Sequence, residues 1–77
     1  MGLAKLPRLS GKEVAKALKK AGFVEKRQRG SHVIMVKETP QGKIPTVVPM
    51  HKEVDTGTLL EIIRQSKMSR DEFLGFL

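Results

Sequence analysis

Only two side chains in this sequence are suited to passing protons near neutral pH, His32 and His51. An ordinary imidazole pKa of about 6.5 fits that work. His32 closes the run Arg29-Gly30-Ser31-His32, set between a basic stretch and an apolar one. Gly30-Ser31 reads as a two-residue turn with glycine first, as a type II′ hairpin requires. The first central position needs positive φ, which glycine adopts without a Cβ penalty. In such a hairpin Arg29 and His32 lie opposite each other with their side chains on one face. A guanidinium can then hold a phosphate while the imidazole works beside it. Ser31 adds a hydroxyl and an amide donor to this supporting turn. The chemistry indicated is phosphodiester cleavage, with His32 as the catalytic candidate. Ordinary hairpin punctuation with an exposed histidine is the alternative, because a lone histidine is a short motif.

His51 follows Pro49-Met50 in a loop. It is a possible second proton-transfer group if the fold carries it to His32; a capping or surface histidine is the alternative. Two histidines without cysteine make a poor transition-metal site, so no metal and no cofactor are expected.

The charge agrees with a phosphate-rich partner. The 77 residues carry a net charge of +7. Residues 1–37 hold ten Lys/Arg and two acids, for +8, and residues 38–77 hold five Lys/Arg and six acids, for −1. The positive field belongs to the first half and fits a polyanion or an acidic protein. Lys12, Lys16, Lys19 and Lys20, with Lys26, Arg27 and Arg29, can form one phosphate-binding stripe. There are three Phe and no Tyr or Trp. That composition disfavours a base-stacking platform and favours contact with the nucleic-acid backbone.

The elements that must position these groups follow from capping and periodicity. Ser10-Gly11-Lys12-Glu13 is a capping box, with Leu9 and Val14 as its hydrophobic staple. Val14, Ala17, Leu18 and Ala21 recur at helical spacing, and Gly22 is a natural stop. Phe23 to Arg29 reads as a first strand and His32 to Lys37 as a second. Strict alternation puts His32 on the face of Ile34 and Val36, which is expected to be buried. His32 escapes burial at the strand's first position, or a bulge resets the phase. Thr39-Pro40-Gln41-Gly42 matches a type I turn. Ile44 to Val48 is a third strand, placed at a sheet edge by Pro45. Asp55 caps a second helix with Leu59, Leu60, Ile62 and Ile63 on its buried side. Ser69-Arg70-Asp71-Glu72 is a second capping box, opening a short helix with Phe73, Phe76 and Leu77. The expected architecture is a two-layer α+β domain, residues 1–77, with a core of about 9–74. Met1 to Leu9 lacks the apolar run of a secretory signal. No stretch approaches the roughly 18 apolar residues of a membrane span. Zero cysteine fits a reduced cytoplasmic setting.

Four features recur here in a familiar order: Gly22-Phe23, Arg29-Gly30-Ser31-His32, Val47-Val48-Pro49 with His51, and Gly57-Thr58-Leu59 with Ile62-Ile63. Together they resemble the HicA toxins, small mRNA interferases of prokaryotic toxin–antitoxin pairs, from roughly Leu9 to Phe73. The resemblance implies an α-β-β-β-α fold like that of double-stranded-RNA-binding domains, followed here by the short C-terminal helix. It implies mRNA cleavage that depends on His32, and a HicB-type antitoxin as partner. Family members often carry an aromatic residue shortly after this histidine, where this chain has Val33, Ile34 and Met35. Single-stranded regions of mRNA are the expected substrate. The rival readings are a non-catalytic double-stranded-RNA-binding module, a degenerate toxin that only binds, and an adaptor whose basic face docks an acidic protein.

Overall fold

The structure is a computed structural model that describes residues 6–77. Of the stretch Met1 to Leu9 read for a secretory signal, residues 1–5 lie outside the described residues. The order is α1 (Gly11–Lys20), β1 (Val24–Arg29), β2 (His32–Thr39), β3 (Gly42–Pro49), α2 (Thr56–Gln65) and α3 (Arg70–Leu74). The strands form one antiparallel sheet, ordered β1-β2-β3. This is a two-layer α+β arrangement, consistent with a double-stranded-RNA-binding-domain-like fold. Pro45 lies on β3 at a sheet edge, as its missing N–H demands.

Local chemistry sets the helix ends. The Glu13 amide donates to Ser10 Oγ at 3.1 Å, and the Ser10 amide donates to Glu13 Oε1 at 2.9 Å. These bonds satisfy donors that a helix start leaves without partners. α1 ends in a Schellman motif: the Phe23 amide reaches the Leu18 carbonyl and the Gly22 amide the Lys19 carbonyl. Gly22 sits at φ +105°, a region few other residues enter. α2 closes with the same pair of bonds, but Lys67 takes the left-handed position, at φ 61°. At the start of α2, the Thr58 hydroxyl and amide both donate to the Asp55 carboxylate, at 2.6 and 3.1 Å. The hydroxyl bond foremost holds the Asp55 carboxyl below its ordinary pKa. The second capping box forms between Ser69 and Glu72.

The core gathers Val14, Ala17 and Leu18 of α1, Leu59, Ile62 and Ile63 of α2, and Phe73 of α3. They pack on Val33, Met35 and Val48 of the sheet. Each large aliphatic side chain buried this way contributes about 1.5–3 kcal/mol. Thr46, also buried, donates its hydroxyl to Gln65 Oε1 at 2.8 Å, which meets the demand of a buried polar group. Among the described residues, no helix is long and apolar enough to cross a membrane.

The three helices therefore cover the face of β2 that carries Val33 and Met35. The face expected to be buried, that of His32, Ile34 and Val36, is the open one: His32 is exposed and Ile34 and Val36 are half-buried. No change of phase within β2 is needed. The pairing does slip, but in β1, between Glu25 and Arg27, so that Lys26 is the extra residue. The reason for the reversal is that Val33-Ile34-Met35-Val36 is apolar on both faces. Its alternation is silent about which face the helices take.

Candidate active site

The turn between β1 and β2 is built as its residues require. Gly30 has φ +56°, and Ser31 does not enter the positive region, as a type II′ turn with glycine first demands. Gln28 Nε2 donates to the Gly30 carbonyl at 3.0 Å and braces the turn. Arg29 pairs with His32, and His32 pairs on its other side with Pro49 of β3. Directly paired residues put their side chains on one face, with Cβ atoms about 4.5–5.5 Å apart. Arg29, His32 and Pro49 thus form one row at the end of this face, with Arg29 and His32 exposed and Pro49 buried. Ser31 Oγ stands 3.5 Å from His32 Nδ1, at the outer limit of a hydrogen bond.

Beyond Pro49 the chain is pinned on two sides. The Met50 amide donates to the Ser31 carbonyl at 2.6 Å, tying the end of β3 to the turn. The Gly11 amide, at the start of α1, donates to the His51 carbonyl at 2.9 Å. The Val54 amide adds a bond to the Leu9 carbonyl at 2.7 Å. Held this way, the His51 ring lies edge-to-face against His32, with centroids 6.2 Å apart and planes at 76°. Both rings are exposed. The two histidines, far apart in sequence, stand side by side.

Gly11 makes that approach possible. A Cβ at this position would collide with the Pro49 carbonyl oxygen and lie 2.6 Å from Met50 Cα. Both are backbone atoms and cannot rotate away. The sequence reading used residue 11 only as part of the capping box. The signal available was a glycine inside the first helical turn, where propensity favours almost any other residue. Lys52 was also missed: with Ser10, Lys12, Met50 and His51 it lines a surface depression of about 290 Å³.

The basic residues divide. Arg29 is in the row with His32, and Arg27 lies one pair along the same open face, opposite Ile34. Lys12 flanks His51. Lys16 and Lys20 instead border a cleft with Leu9, Phe76 and Leu77. Lys19 is exposed on the same helix, and Lys26 occupies the bulge of β1.

Two exposed imidazoles side by side, with Arg29 paired across from one and Lys12 beside the other, combine cationic donors for a phosphate with groups that can exchange protons. No curated protein matches the chain. Residues 11–68 match the family described as the HicA toxin of bacterial toxin–antitoxin systems. That match spans α1, the whole sheet, α2 and the turn that follows it, and so takes in both histidines. The chain belongs to the HicA toxin family, and is the toxin of a toxin–antitoxin pair.

Proposed function

We propose that this chain is a ribosome-independent mRNA interferase, a metal-independent endoribonuclease that arrests translation and growth in the cytoplasm until a HicB-type antitoxin neutralises it. The observation that carries the reading is the exposure of His32 on the open sheet face, with Arg29 directly across from it. A catalytic imidazole must reach its substrate, and a histidine kept only for packing would sit on the covered face.

The reaction is attack of a ribose 2′-hydroxyl on the adjacent phosphorus in a single-stranded region of mRNA. The O2′–P bond forms, the P–O5′ bond breaks, and the products are a 2′,3′-cyclic phosphate and a 5′-hydroxyl. His32 transfers a proton in this step, a contribution of about 10²–10⁴-fold. Arg29, Lys12 and the Ser31 hydroxyl stabilise the charge that builds on the phosphoryl oxygens. Arg27, Lys26, Lys16, Lys19 and Lys20 hold the flanking strand through its phosphates.

The test is paired induction of the native chain and His32→Ala at equal expression, scoring growth arrest and loss of intact mRNA. Purified protein is then assayed on RNA with and without a chelator. Arrest and chelator-resistant cleavage by the native chain alone are expected. Equal cleavage by both proteins, or none by either, would overturn the assignment.

A further inference from the structure

We infer that His51 is the second proton-transfer group of this site, acting on the opposite side of the scissile phosphate from His32. The inference deepens the ribonuclease reading and rests on it. Three observations carry it. The rings are 6.2 Å apart and both open to solvent, so one phosphoryl group can meet both. Each nitrogen needs to come within about 2.6–3.2 Å of its own oxygen, and two rings at this separation reach oxygens on two sides of one phosphorus. Separate backbone bonds, from Met50 to Ser31 and from Gly11 to His51, fix the loop that presents the second ring. The third is the close approach of Gly11 to Pro49 and Met50, which a side chain would prevent. A surface histidine without a task needs no such anchoring.

The step then balances without any further group. One imidazole accepts the 2′-hydroxyl proton as the O2′–P bond forms. The other, protonated, gives its proton to the 5′-oxygen as the P–O5′ bond breaks. The pair ends with its protonation states exchanged, and solvent restores them.

Leaving-group chemistry separates this role from a structural one. Native protein, His32→Ala and His51→Ala are assayed on an oligoribonucleotide and on the same strand with sulfur replacing the bridging 5′-oxygen. A thiolate departs without being protonated, so loss of the acid no longer matters. Both variants are expected to cleave the natural strand about 10²-fold or more slowly. One variant recovers on the sulfur strand to within about threefold of native, and the other does not. The anchor uses the His51 backbone carbonyl rather than its ring, so His51→Ala keeps the fold. His51→Gln and amide NMR spectra of both variants check this. Natural-strand cleavage by His51→Ala at the native rate would overturn the inference. So would recovery of both variants or of neither. If native protein cleaves neither strand, the ribonuclease reading itself fails, which is a separate result.

Discussion

Val33 and Met35 of β2 are 1% and 0% exposed, while His32 and the alternate residues Ile34 and Val36 face the open side. The covered face is closed by α1, α2 and α3 and holds the fold together. The open face is bordered by Arg27, Arg29, Pro45 and Val47, and Val47 is 42% exposed. Strand geometry makes this division possible, because neighbouring residues point to opposite sides. An open-face residue such as His32 can thus sit one position from the core and stay independent of it. The two regions meet where the start of α1 packs against the backbone of Pro49, Met50 and His51.

That division makes predictions which can break it. The largest effect belongs to His32→Ala: RNA cleavage falls by about 10²–10⁴-fold while stability moves by less than about 0.5 kcal/mol. Cleavage kinetics and urea unfolding of the same preparation check both halves. A large loss of stability would mean that the open face also holds the fold. Met35→Ala, three positions on, does the reverse. Removing a fully buried side chain costs about 2–5 kcal/mol, read as a lower urea midpoint. The fraction that remains folded cleaves RNA at the native rate.

Gly11→Ala crosses the division. The added methyl meets backbone, so stability falls by about 1–3 kcal/mol, and the displaced His51 lowers cleavage as well. Combined with His51→Ala, it slows cleavage no further than His51→Ala alone, as expected of residues acting through one group. Full additivity in the double variant would separate Gly11 from the histidine.

Two smaller effects concern the scaffold only. Lys67→Gly relieves a left-handed residue at the end of α2 and raises stability by about 1 kcal/mol, seen as a higher Tm with cleavage unchanged. Asp55 has a folded-state pKa below its unfolded value, because the Thr58 hydroxyl and then the Thr58 amide bond its charged form. Its contribution is present above the unfolded pKa and is lost as pH falls through the folded one. Asp55→Asn therefore loses less stability than the native chain as pH drops below about 4, measured by urea unfolding across that range.

Much of this was legible before the fold was known, because it depends on neighbours in sequence. Both capping boxes, the Gly22 stop, the Gly30-Ser31 turn and the edge position of β3 each rest on a few adjacent residues. The Arg29–His32 pair was legible for the same reason, since a two-residue hairpin forces those positions together. One expectation lacked such local support. The burial of Ile34 and Val36 was read from an apolar run that fits either face.

What the sequence determined by itself was the set of elements, the helix caps, the basic first half and the placement of a histidine at a hairpin turn. Those follow from backbone preferences, side-chain capping and charge, which act over a few residues. Only the tertiary structure decided which face of β2 is covered, and that His51 stands beside His32. Both depend on register between β2 and β3 and on α1 docking its glycine start against the end of β3. These contacts join distant segments, and no local pattern records them.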